Sequence, residues 1–220
     1  MHATLRPLGA ALAAFALTLA ATPPRADETK PVISETCVNL IAAEPGCETV
    51  TLTDPGEGGA ILRIFAGDEM IFELPEAASM DRVPGDPLAM GVPELTPRVE
   101  PSLDETGFRI RSAWESRLRY PWQQSRVVIW QDGGPVVAAA SYAVRDRARG
   151  SWVSCDVNYA AGQASWTRVL TDPEAPDGPL DVFEDAVALP PQDLRPLAQF
   201  GPGVIPEPCA DAVAEVTVPR

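Results

Sequence analysis

Histidine is all but missing from this sequence, and lysine with it: His2 and Lys30 are the single copies of each in 220 residues. With its one imidazole at the second residue, the chain has none to spare for a Ser-His-Asp or Cys-His nucleophile or for a His-ligated metal centre. A Ser-Lys dyad would have to draw on Lys30, in a polar stretch with no apolar period. Positive charge is scarce overall. Seventeen Lys and Arg face 31 Asp and Glu, for a net charge of −14, which argues against nucleic acid as a partner, because that affinity comes from neutralising phosphates. Nucleotide loops of the GxxxxGK[ST] or GxGxxG type are missing, and the Gly-rich turn PGEGG at 55–59 carries an acid where a phosphate would sit. No CxxC occurs, which removes the usual zinc pairs and redox dithiols. Long apolar runs are confined to residues 8–20. The 24 prolines exclude a long helical bundle, since each one inside a helix costs about 3 kcal/mol.

What is present begins with that one apolar run. Arg6 precedes it, Ala20 and Ala21 close it, and Pro23-Pro24 follow. A basic start, an apolar middle of about 13 residues and a small-residue exit have the form of a secretory signal peptide, shorter than the roughly 20 residues of a membrane span. Residues 1–21 are therefore expected to be removed, with Ala20 and Ala26 as rival exits to Ala21, and the remaining chain to be periplasmic or secreted rather than integral to a membrane. Heavy use of Ala, Pro and Arg beside a single Lys suits a GC-rich bacterial genome.

The cysteine count agrees with export. Cys37, Cys47, Cys155 and Cys209 make an even set, which in an exported chain reads as disulfides. Four cysteines allow three pairings; Cys37 and Cys47 flank Pro45-Gly46, a natural reversal point, which favours Cys37–Cys47 with Cys155–Cys209. No metal site and no cofactor is expected.

The periodicity predicts a mainly β protein: an antiparallel meander, in a sandwich or partly open barrel, with short helices, long Pro-rich loops and disulfide staples. Residues 22–33 read as a flexible leader. Over 34–44, Val38, Ile41 and Ala42 suggest a short helix capped by Ser34. Val50 and Leu52, the run 60–66 and the alternation of Met70, Phe72 and Leu74 across the Gly67-Asp68 turn then complete a hairpin subregion to 74. Residues 75–106, with six prolines between 75 and 101, read as a loop or linker. All five Trp and all three Tyr fall in 107–170, which marks an aromatic-rich β core. There Val153, Cys155, Val157 and Tyr159 alternate with Trp152, Ser154, Asp156 and Asn158, so Cys155 is expected on the covered face. The tail 171–220 is Pro-rich and acidic, tied back near Cys209, with an edge strand expected over 212–218. Its densest acidic part fails as a calcium loop: with Gly178 at the loop glycine, Pro173 and Ala175 fall where carboxylates are required.

The segment GFRIRSAWESRLRYPWQQSR at 107–126 is the candidate binding surface. It carries five Arg against one acid, in a chain otherwise strongly negative. Arg109 and Arg111 share one strand face, as do Arg117 and Arg119, with Trp114, Tyr120 and Trp122 beside them. Arginine forks grip carboxylates and phosphates, and aromatic faces stack on sugars or on Arg itself. The expected function is an exported, non-catalytic binding or interaction protein of the bacterial envelope, taking an anionic glycan or a cell-envelope protein. The plain alternative is that these arginines neutralise neighbouring acids while the aromatics are core. Two other functions fit the composition: a polysaccharide hydrolase working with two carboxylates, and an acidic binder or inhibitor of a basic protein.

Overall fold

The computed structural model describes residues 31–41, 46–56, 59–79, 98–101, 106–114, 119–171, 180–190 and 193–218. The expected signal, most of the leader and linker, and the acidic loop at 172–179 lie outside them. The fold is mainly β and antiparallel, in two sheets. The smaller has the order β1(Val32–Val38), β2(Glu48–Thr53), β3(Ala60–Ala66), β4(Glu69–Ala78). The larger follows β5(Arg98–Pro101), β6(Gly107–Trp114), β7(Trp122–Gln131), β8(Gly134–Arg145), β9(Trp152–Asn158), β10(Gln163–Leu170) and β11(Asp181–Ala188) as a continuous meander. A two-residue strand, β12(Arg195–Pro196), pairs with Val136 and Val137 of β8, just where β9 has ended opposite Ala139. Among the described residues no helix is long and apolar enough to cross a membrane.

Local chemistry accounts for most of these elements. Asp132 and Gly133 both take positive φ, 52° and 84°, the geometry that lets a two-residue turn follow the strand twist between β7 and β8. At Gly107 a Cβ would sit 2.3 Å from the Val128 carbonyl, so only glycine allows β6 to approach β7 there. On β9 the even alternation places Val153, Cys155 and Val157 inward. In β8 the period slips. Val127 faces Ala139 while Val128 faces Val137, which leaves Ala138 as a bulge. Val137 and then Ala140, Tyr142 and Val144 can thus all point to the core.

Three expectations are corrected. The described part of 34–44, residues 34–41, does not form a helix: β1 runs to Val38, paired with β2 from Val32↔Thr53 to Val38↔Glu48. Val32, Ile33, Thr36 and Val38 are β-branched and favour the pleated surface. Beyond the strand, the buried Glu48 carboxylate accepts from the Leu40 N–H at 2.6 Å and the Ile41 N–H at 3.3 Å, replacing helical carbonyls as partners. The segment expected as an edge strand is instead helix α1(Ala210–Thr217). Ala212, Val213 and Val216 recur on one helical face and are buried, whereas an alternating strand would have exposed part of this set. The stretch 75–106 is not loop throughout. β4 continues to Ala78 and β5 pairs with β6. Pro75 is tolerated because β4 is an edge strand. Between the pairs Leu62↔Leu74 and Ala60↔Ala78, three residues of β4 oppose one of β3, and Glu76 takes φ 54°. This bulge turns Ala77 and Ala78 fully into the interior.

One buried cluster draws on both sheets. Val50, Leu52, Leu62 and Ile64 of the smaller sheet meet Phe108, Ile110, Val128 and Val137 of the larger. The β8–β10 half of the inner face is covered by the C-terminal segment, through Leu197, Phe200 and α1. The centre is thus largely aliphatic, with aromatics around it. Trp122 stacks on Tyr142 with ring centroids 6.1 Å apart, and Tyr159 meets Phe200 edge-on. Burial pushes the Tyr142 hydroxyl up to about 12. Disulfides join Cys37 to Cys47 and Cys155 to Cys209, the latter pair buried under α1.

Among the described residues the largest fully buried side chain is that of Arg126. It stands on the inner face of β7 between Gln124 and Val128. Its guanidinium donates to the Phe200 carbonyl and to the Ala77 carbonyl that the β4 bulge turns inward. It therefore clamps the smaller sheet, the larger sheet and the C-terminal segment together. Burial lowers its pKa to about 10, still far above neutrality.

Candidate functional site

The register aligns the outward side chains of the larger sheet into rows that cross the strands. One row reads Arg111, Ser125, Ser141, Asp156, Ser165 and Ala186 on β6 through β11. A second reads Arg109, Val127, Ala139, Asn158, Gln163 and Ala188, and a third Ala113, Gln123, Ala143, Ser154, Thr167 and Glu184. Neighbouring positions in a row are about 4.8 Å apart. Because the middle strands carry Ser and Ala where an ordinary solvent face carries long charged chains, the sheet's outer face holds a groove of about 1100 Å³. Arg109 and Arg111 line one end, while Asp156 and Asn158 line it further along.

Of the seven residues singled out in the sequence, the six that are described are distributed over different surfaces. Arg109 and Arg111 do share a face, that of the groove. Arg109 is half-buried, and its Nε is buried without a hydrogen-bond partner. Trp114 and Trp122 stand opposite each other in the β6–β7 register and alternate with the groove positions, so they belong to the other side of the sheet. Trp122 packs against the core, with Gly203 so close that a Cβ there would lie 3.1 Å from its ring. Arg119 and Tyr120 lie at the end of the sheet between β6 and β7. Arg119 is 5.1 Å above the Tyr120 ring and pairs with Asp146 through two contacts, Nε to Oδ1 at 3.1 Å and a terminal nitrogen to Oδ2 at 2.9 Å. Arg117 lies outside the described residues.

Asp146 explains why Arg119 is held there. Its carboxylate is fully buried and also accepts from the Ala148 N–H at 2.8 Å and the Arg149 N–H at 3.3 Å, closing the β8–β9 turn. Burial opposes its ionisation, but these donors and the Arg119 guanidinium outweigh it and hold the carboxyl below its ordinary value. The same hydrogen bond raises the pKa of Arg119. A carboxyl whose pKa is depressed on folding contributes stability that is complete above about pH 4 and is lost as the pH falls through the lower folded value. Melting of Asp146→Asn between pH 2 and 7 should show a lower midpoint at neutrality and a shallower acid limb. An acid limb as steep as that of the unaltered protein would remove Asp146 from this role.

Sequence reasoning missed the floor of the groove: Ser125, Ser141, Ser154, Asp156 and Ser165. A signal existed in the small outward residues of three successive strands, Ser125, then Ala139, Ser141 and Ala143, then Ser154. Its meaning needs the pairing that sets them side by side. Among the described residues no group of three or more His, Cys, Asp or Glu is placed to hold a metal ion. Comparison with known protein families, with curated proteins and with solved structures finds no match to this chain.

Proposed function

We propose that the chain is an exported, non-catalytic binding protein of the bacterial envelope, whose ligand lies in the groove on the outer face of the larger sheet with a carboxylate over Arg109 and Arg111. The observation that carries this reading is the pairing of these two arginines at one end of a groove floored by serine and alanine. Small floor residues let a flat or extended ligand approach the sheet. Two forks on one face then supply charge-assisted hydrogen bonds to an acid group. Anionic glycans and acidic segments of cell-envelope proteins both offer that group. The export half of the reading is supported by the form of residues 1–21, and two disulfides are compatible with an extracytoplasmic location.

The test is equilibrium binding of an oligogalacturonate, and separately of a peptide with a free C-terminal carboxylate, to the protein and to Arg109→Ser/Arg111→Ser. A hydrogen bond to a charged group is worth about 1.5–3 kcal/mol, so the double variant should bind at least about tenfold more weakly. Binding that does not change on removing both arginines overturns the site. Mass spectrometry of the recovered ligand should show it intact; turnover would overturn the non-catalytic reading.

A further inference from the structure

The groove carries charge of opposite sign at two places. Arg109 and Arg111 stand on β6, where the register sets Glu100 of β5 opposite Arg109 and Arg98 opposite Arg111, so that this end keeps an excess of positive charge. Asp156, on β9, is exposed, and among the described residues no ion pair reaches it. Glu184 adds a second acid on the same outer face, two strands further on, beside a shallower depression continuous with the groove through Ser154, Asp156, Ser165 and Ala186. Arg145 lies four register positions, or two outward rows, beyond the Asp156 row and does not line the groove. Between the two charged ends the central row offers the hydroxyls of Ser125 and Ser141, flanked by Val127 and Ala139 on one side and by Gln123 and Ala143 on the other. The face is therefore a shallow trough with a cationic end, a hydroxyl floor and an anionic end.

Its length can be read from the register. Arg111 and Asp156 occupy the same row with two strands between them, which is three inter-strand spacings, or roughly 14 Å. An extended peptide advances about 3.3–3.6 Å per residue, so four residues separate its two ends by about the same distance. We propose that the groove takes a short zwitterionic peptide lying across the strands, with its C-terminal carboxylate over Arg109 and Arg111, its ammonium over Asp156, and its backbone against the hydroxyls of Ser125 and Ser141. This rests on the binding function proposed above and narrows it. A purely anionic chain would place negative charge beside Asp156 and Glu184, where like charges repel. A doubly charged ligand of matching span satisfies both ends.

The experiment uses alanine oligomers of two to seven residues, with free ends, N-acetylated or C-amidated, titrated into the whole protein by calorimetry or by NMR shift mapping. Affinity should peak at four or five residues. Acetylating the tetrapeptide should weaken binding about tenfold in the unaltered protein and leave it unchanged in Asp156→Asn. Amidation should weaken binding in the unaltered protein and have no effect in Arg109→Ser/Arg111→Ser. Asp156 is exposed and Asn has its shape, and thermal melts confirm that each variant is folded before it is titrated. If amidation matters but acetylation does not, or affinity has no optimum in length, the zwitterion proposal falls and the carboxylate site stands. If neither peptide nor oligogalacturonate binds in a way that depends on the arginine pair, both fall.

Discussion

Arg126→Ala should melt roughly 6–12 °C below the unaltered protein. The guanidinium donates to two buried carbonyls, those of Ala77 and Phe200. Truncation strips both of their donor and empties the volume of the largest fully buried side chain. Hydrogen bonds from charged donors are worth about 1.5–3 kcal/mol each. The burial of an uncompensated charge offsets part of that sum, which leaves a net loss of about 3 kcal/mol. In a protein of this size each kcal/mol moves the midpoint by about 2–4 °C. Arg126→Met should fall between the two, because it restores packing and removes the charge but still orphans the carbonyls. Arg126→Lys should not rescue, since an ammonium cannot fork to both acceptors as a planar guanidinium does. A melting point for Arg126→Ala within 2 °C of the unaltered protein would mean that the sheets and the C-terminal segment are held by apolar contact alone.

Removing the longer disulfide should cost more. Cys155 and Cys209 are 54 residues apart in sequence and Cys37 and Cys47 only 10. Loop-closure entropy assigns the first about 4 kcal/mol and the second about 3 kcal/mol. Cys155→Ala/Cys209→Ala should therefore melt roughly 8–16 °C lower, with Cys37→Ala/Cys47→Ala less affected. Beyond the size of the effect, the site of first opening should differ. Cys209 leads directly into α1, which covers the inner faces of β8, β9 and β10. Without the staple, limited proteolysis should cut first between residues 197 and 218. If both double variants melt alike and are cut at the same places, the bridge does not anchor the C-terminal cover.

The first of these contacts shows where sequence reading stopped. Arg126 looked like one more positive charge in an arginine-rich segment. It is inward because it shares strand parity with Gln124 and Val128, and it is tolerated there because a bulge in β4, 49 residues earlier in the chain, turns the Ala77 carbonyl toward it. Strand parity was readable in β9, where Cys155 falls with Val153 and Val157, and unreadable in β8, where Ala138 breaks the count. The expected helix over 34–44 and the expected edge strand over 212–218 were overturned, in their described parts, for one reason. A run of seven to eleven residues with a few apolar positions fits either period, and what lies against it decides.

The sequence by itself determined the antiparallel β character, the tight turns, the presence of disulfides and the lack of imidazole chemistry beyond His2. All of these depend on residue type and on spacing along the chain. Which cysteines pair was settled by the fold. The tertiary structure alone decided that Arg111, Ser125, Ser141 and Asp156 form one row, that Trp122 faces away from Arg111, and that Arg119 is held by Asp146. Alternation belongs to a single strand, but register is a relation between strands. It is set jointly by bulges, turns and the burial of a shared core, so no one segment contains it.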